Sequence, residues 1–186
     1  LTYKTVAALN GKPVAVLTGT IFEAVTKNVL PKSTYSQYNT YADCIEALKS
    51  GKIEGFFDDE PVARNMTSKD TELGYIHAPV VKVQYGVGIS KDRPEIKATL
   101  DAGLKRYKQD GTLKKLDQIW FGSDEKAKQM PAAKTGSKGT IRCAVAAESE
   151  PMVYVRNGKI VGYETALVPQ ILQDAGYTVD VQNTNF

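Results

Sequence analysis

Histidine and tryptophan each occur once, and cysteine twice, in 186 residues. The single histidine, His77, has no acidic or cysteine partner beside it in sequence. It therefore supports neither a metal site nor an acid–base pair, and it reads as a strand-end residue. Cys44 and Cys143 lie far apart, without the close spacing of a zinc or redox motif, and read as two buried thiols rather than a disulfide. No apolar run reaches membrane-spanning length, and the opening LTYKTVAALNGK lacks the basic-then-apolar pattern of a signal peptide; it resembles the middle of a domain. Charge of one sign is also missing: 24 Lys and Arg stand against 21 Asp and Glu, net +3, with no stripe of like charge, so nucleic acid is not an indicated partner. The sequence carries no nucleophile with its base and no glycine-lysine phosphate loop, so no cofactor is implied.

What is present is the ordinary apolar and charged content of a globular chain, 42% and 24%, arranged as short β-rich runs alternating with stretches of helical period. That alternation predicts an α/β fold with a largely parallel sheet. Pro13 to Leu17 reads as a buried strand, followed by a helix from Gly19 to Val29 that Leu30-Pro31 ends. The unit repeats with a strand from Ser33 to Tyr38 and a helix from Tyr41 to Lys49, with Cys44, Ile45 and Leu48 facing inward and Gly51 as its stop. A third strand, Ile53 to Phe57, runs into Asp58-Asp59-Glu60-Pro61, where acidic residues and an early proline open a helix through Met66.

The β-branched, glycine-bearing run from Val80 to Ile89 reads as a strand crossing between two lobes. After Pro94 come two amphipathic helices split at Asp110-Gly111, with Ile96, Leu100, Leu104, Tyr107, Leu113, Leu116, Ile119, Trp120 and Phe121 facing a core. Residues 123–139 are polar and lysine-rich and read as a flexible linker. Beyond them a strand is expected from Ile141 to Ala146, a hairpin from Met152 to Tyr163 turning at Asn157-Gly158, a helix from Leu167 to Ala175 and a strand from Thr178 to Val181.

Two strand ends carry groups suited to a small charged solute. Thr18-Gly19-Thr20 stands at a strand end and opens a helix, where outward N–H groups, the helix dipole and a hydroxyl favour an anion such as an α-carboxylate; a plain helix cap is the competing reading. Asp58 and Asp59 close the third strand, and a carboxylate there can hold an ammonium group through charge-assisted hydrogen bonds; a helix N-cap is again the alternative. Tyr35, Tyr38 and Tyr41 read as structural.

LNGKPVAVLTGT, the DDEP that follows GKIEGFF, YGVGISKDRPEI and DGTLKKLDQIWFG together resemble successive signatures of the amino-acid type of periplasmic solute-binding protein. NGKIVGYETALVPQILQDAGY and NTNF resemble the beginning of the same family. The resemblance implies a type II periplasmic-binding-protein-like fold of two α/β lobes, here in reversed order. Residues 1–82 would be a complete second lobe, 83–122 the crossing strand and C-terminal helices of a first lobe, and 123–139 the linker. Residues 140–186 would be the N-terminal part of a first lobe. Tandem copies cut out of register and circular permutation both account for this order. The family would place on the order of 40 further residues between the two halves, including hydroxyl groups and an arginine that grip the ligand carboxylate.

By the same resemblance, Thr18, Gly19, Thr20 and Ile21 hold the carboxylate of an amino acid, with Ile21 standing where relatives often have a second threonine. Asp59 matches the family's ammonium-binding aspartate, and Asp58 lines the cleft. In the C-terminal segment the family's acidic and aromatic places read Ala146 and Ser149, leaving Glu150 and Met152 as the ligand-side candidates, with Glu148 nearby. The implied function is capture, without catalysis, for an ABC permease outside the cytoplasm, extracellular or periplasmic, with any membrane attachment through the parent protein. A dehydratase on the same fold, with Asp58 and Glu148 as its acid–base pair, and the sensing domain of a receptor are the alternatives. The long linker also allows two copies to exchange segments as a homodimer.

Overall fold

A computed structural model describes residues 1–184; Asn185 and Phe186, the last two residues of the NTNF signature, lie outside the described residues. The chain is mixed α/β and divides into two compact units, Leu1–Gln84 and Tyr85–Phe186.

The first unit begins with a short 3₁₀ turn at Val6–Leu9. Strand β1 (Pro13–Leu17), helix α1 (Phe22–Val29), strand β2 (Thr34–Tyr38), helix α2 (Tyr41–Lys49), strand β3 (Gly55–Phe56) and helix α3 (Glu60–Lys69) follow in order. The sheet is parallel, in the order β2-β1-β3, with Pro13 opposite Thr34 and Ala15 opposite Phe56. As the central strand, β1 is apolar on both faces, which is why PVAVL carries no alternation. Val14 packs with Leu9 and Leu30 on one face, and Ala15 packs with Cys44, Ala47 and Ile53 on the other. Helix α2 is started by Thr40, whose hydroxyl oxygen accepts from the Asp43 N–H at 3.1 Å.

In the second unit, α4 (Pro94–Gln109) and α5 (Thr112–Trp120) meet at Asp110-Gly111, as the sequence predicts. After them come β4 (Thr140–Val145), β5 (Glu148–Ser149), β6 (Val153–Arg156), β7 (Lys159–Val161), α6 (Tyr163–Asp174) and β8 (Thr178–Asn183). β4 and β8 pair in parallel, while β5, β6 and β7 form an antiparallel sheet. The β6–β7 hairpin turns on Asn157 and Gly158, with φ of 53° and 72°, the two left-handed residues a tight hairpin needs. One core joins the segments on either side of 123–139: Ile96, Leu100, Tyr107, Leu116 and Trp120 pack with Tyr154, Val161, Leu167, Ile171 and Leu172. Both cysteines are free thiols.

Four expectations change. Val80 to Ile89 is not a strand; the stretch carries no regular structure, and Val80, Val81, Tyr85 and Val87 are exposed. β-branched residues form a strand only where a neighbour supplies the ladder, and no described strand pairs with this run. His77 lies in the same irregular stretch and so ends no strand. β3 shrinks to two residues, because only Gly55 and Phe56 pair with β1. Helix α6 begins four residues before Leu167, since the Tyr163 and Glu164 N–H groups donate to the carbonyls of Pro151 and Met152 at 3.0 Å each.

Residues 123–139 carry no helix or strand, yet they are fastened to the second unit. The Lys128 carbonyl accepts from Arg156, the Gly136 N–H donates to the Thr178 hydroxyl at 3.0 Å, and Lys134 pairs with Asp174 at 2.6 Å. Met130 packs against the core. A segment poor in apolar residues is thus held by backbone hydrogen bonds, which composition does not reveal.

Candidate functional site at the carboxyl edge of the first sheet

In the first unit, α1 follows β1, α2 follows β2 and α3 follows β3, so the three helix openings gather at the carboxyl edge of one parallel sheet. The chain leaves central β1 toward β2 on one side and returns as β3 on the other. The gap between the ends of β1 and β3 is therefore a topological switch point, the place where open parallel sheets receive ligands. Thr18–Ile21 stand at the end of β1 and Asp58–Asp59 at the end of β3, so the sheet order brings these six sequence candidates to one edge.

The turn after β1 is tied to its neighbour. The Thr18 N–H and hydroxyl both donate to the Tyr38 carbonyl, at 2.8 and 3.0 Å, and the Thr20 hydroxyl donates to the Leu17 carbonyl at 2.7 Å. Both hydroxyl protons are thus engaged within the protein, as are the Thr18 N–H and the Thr20 N–H, which donates to the Leu17 carbonyl at 3.3 Å, so among the described residues the Gly19 and Ile21 N–H groups are what the turn keeps for an anion. Gly19, at φ 76°, turns the chain. Ile21 precedes α1 with its side chain exposed, and no side chain caps that helix, whose Glu23 N–H turns back to the Thr20 carbonyl at 3.4 Å.

At the end of β3 three acidic residues have three different situations. Glu60 is engaged by Arg64 at 2.6 Å, with His77 Nδ1 3.5 Å away. Asp58 is drawn inward: its Oδ1 accepts from the Tyr41 hydroxyl at 2.9 Å and from the Asp59 N–H at 2.7 Å, while its Oδ2 is buried and accepts no hydrogen bond among the described residues. Burial pushes the Asp58 carboxyl up to about 7, against the lowering effect of those two donors. Asp59 stands at the N-cap position just before α3, but its carboxylate accepts no capping hydrogen bond from the helix. The cap reading therefore does not use its oxygens, and an uncommitted carboxylate at a sheet edge suits a cation.

Tyr41 is the residue that sequence reading assigns only a structural part. Its place at the start of α2, beside β3 rather than beside its own strand's outer edge, depends on strand order, which local pattern does not encode. A cavity of about 900 Å³ within the same unit, between β3, α3 and residues 71–83, touches Asp58 and Asp59. Leu9, Phe22, Ile53, Phe57 and Ile76 are among its walls, and Thr18–Ile21 are not. The polar edge, not this mainly apolar space, matches a charged solute.

Glu150 and Met152 belong to the second unit. Glu150 is half-buried and precedes a cis bond to Pro151, and Met152 is 5% exposed, so its side chain offers little surface. Glu148 lies exposed on β5, Ser149 pairs with Val153, and Ala146 is half-buried. Trp120 is fully buried in the core of this unit. Among the described residues no group of three or more His, Cys, Asp or Glu side chains could hold a metal ion, and no helix is long and apolar enough to cross a membrane.

The first unit thus gathers, at the switch point of one parallel sheet, a helix opening with no side-chain cap and an aspartate that caps no helix. Curated proteins similar to this chain are named as amino-acid-binding proteins, for arginine, glutamate, glutamine and histidine, some of them of ABC transporters, and so as binding proteins rather than enzymes. The chain is 33% identical over 126 residues to the ABC transporter arginine-binding protein 1 of Escherichia coli, an alignment covering 64% of this chain and 51% of that protein. It is 32% identical over 137 residues to the histidine-binding periplasmic protein of Salmonella typhimurium, covering 64% and 50%. To the glutamate-binding protein GluB of Corynebacterium efficiens it is 28% identical over 119 residues, covering 61% and 40%. The chain thus spans about half the length, or less, of the curated relatives it matches. No protein-family model matches it.

Proposed function

We propose that this chain provides ligand-binding parts of the substrate-binding component of an ABC importer, and that its solute is an amino acid held by both charged ends. Asp59 receives the α-ammonium through charge-assisted hydrogen bonds, and within the Thr18–Ile21 turn the Gly19 and Ile21 N–H groups ahead of α1 receive the α-carboxylate. The observation that carries this reading is the Asp59 carboxylate, which caps no helix and pairs with no cation among the described residues, at the switch point of a parallel sheet. The amino acids in the homologues' names, arginine, glutamate and histidine, support the solute class through the α-ammonium and α-carboxylate they share.

In this reading residues 1–82 act as the second lobe, and residues 83–122 with 140–186 act as first-lobe material joined through 123–139, with Glu150 and Met152 on the ligand side. Closure of lobes on the solute is the signal that a permease outside the cytoplasm reads. Exchange of segments between two copies is the assembly that the length of 123–139 allows.

The test is a thermal-shift panel of the full chain with the common L-amino acids and small carboxylic acids. A ligand at a hundredfold over its Kd adds about 2.7 kcal/mol of stability, so binding is read directly as a rise in melting temperature. A rise with amino acids, absent with the carboxylic acids, is the expected result. No rise with any of them defeats the proposal.

A further inference from the structure

The candidate site contains a second carboxylate whose part differs from that of Asp59. Asp58 reaches back from the end of β3, and one oxygen, Oδ1, serves two donors on two different helices: the Tyr41 hydroxyl at the start of α2 and the Asp59 N–H at the start of α3. The tie falls on the backbone of the residue that the proposed function uses to hold the ligand.

We infer that Asp58 is a positioning residue for the ligand site, fixing the backbone of Asp59 through the Asp59 N–H and bracing it against α2 through Tyr41. The inference rests on the proposed function for its ligand, and on the hydrogen bonds alone for the tie itself.

Ionisation decides how strong the tie is, because a charged acceptor makes the stronger hydrogen bond. Among the described residues, the titratable groups that face Asp58 are the Tyr41 hydroxyl and the Cys44 thiol from α2 and the Asp59 carboxylate just before α3, whereas β1 presents apolar Ala15 and Leu17 on this side. Burial holds the Cys44 thiol up at about 11, so it stays neutral. No cation is among these groups to keep Asp58 charged, and its carboxyl titrates at about 7. An ammonium placed on Asp59 favours the charged form of Asp58 as well, so capture releases a proton near neutral pH and affinity falls as pH drops through 7.

The same protonation sets a stability window. The folded value lies above the ordinary 3.8, so the folded state keeps a proton that the unfolded chain has lost. The stability contributed by the neutral carboxyl is full below about pH 4 and is lost as pH rises to about 7.

The experiment has two arms, both on the full chain. In the first, the amide resonance of Asp59 is followed by NMR from pH 5 to 9 in the wild type, Asp58→Asn and Tyr41→Phe. Asp58→Asn keeps the acceptor oxygen and removes the titration, so it separates a proton-linked tie from a merely structural one. An inflection near 7 is expected in the wild type, none in Asp58→Asn, and an inflection moved to higher pH in Tyr41→Phe, which loses a donor to the charged form. A flat Asp59 amide in the wild type, or an inflection that survives Asp58→Asn, overturns the inference.

The second arm measures affinity for L-arginine and L-glutamate, which share an α-ammonium and differ in side-chain charge, at pH 8 and pH 5.5. Both should bind roughly tenfold more weakly at the lower pH, the difference expected when a charged acceptor becomes neutral, and that loss should vanish in Asp58→Asn. A loss confined to one of them, or unchanged in Asp58→Asn, overturns the inference. Binding of neither, with the Asp59 amide still titrating, overturns the amino-acid reading and the positioning role that depends on it.

Discussion

The two units use their apolar residues differently. In the first, the three-stranded sheet divides them: Val14 and Ala15, neighbours in sequence, belong to separate small clusters on opposite faces. In the second, residues from before and after 123–139 enter one continuous core around Trp120, Ile171 and Leu172. The sheet of the first unit leaves an edge where polar groups collect, and its end-of-strand acids are held by so few partners that one keeps its carboxylate free of the helix it opens. The second unit spends its sequence on joining distant segments, and its two ligand-side candidates are half-buried or buried.

The sharpest way to break that comparison is to remove the centre of the second core. Trp120→Ala should cost about 3–5 kcal/mol, because a fully buried ring leaves a cavity shared by α4, α5 and α6. Urea unfolding followed by circular dichroism measures it, and a cost under about 1 kcal/mol would mean that the segments do not share one core. Gly136→Ala comes next. A Cβ there would lie 2.0 Å from the Gly176 carbonyl oxygen and 2.6 Å from the Tyr177 carbonyl carbon, both backbone, so the segment must shift and its hydrogen bond to Thr178 weakens. The expected loss is about 1–3 kcal/mol, and an unchanged melting curve would show that residues 123–139 are not fastened. The smallest effect belongs to the first unit: Thr40→Ala removes the cap of α2 and should cost about 1 kcal/mol, seen in the same denaturation experiment.

Where signals were local, the sequence and the structure agree. The apolar run of β1, the capped and glycine-stopped α2, the break at Asp110-Gly111 and the Asn157-Gly158 turn are each written in a few adjacent residues. Where a partner decides the outcome, they diverge. Val80 to Ile89 has strand-forming residues and no ladder to join, and α6 starts early because distant carbonyls receive its first N–H groups. The candidate site divides along the same line. Asp59 and the turn after β1 are legible as strand-end chemistry, while the Tyr41–Asp58–Asp59 tie requires the order β2-β1-β3, a tertiary fact.

The most direct test of the account is a calorimetric titration of the full chain and of Asp59→Ala with the amino acid that raises the melting temperature most. The account predicts saturable binding by the wild type and none detectable by Asp59→Ala, with the two proteins giving the same circular dichroism spectrum. Equal affinities would contradict it, because the carboxylate left uncommitted at the edge of the first sheet would then have no part in holding the ligand.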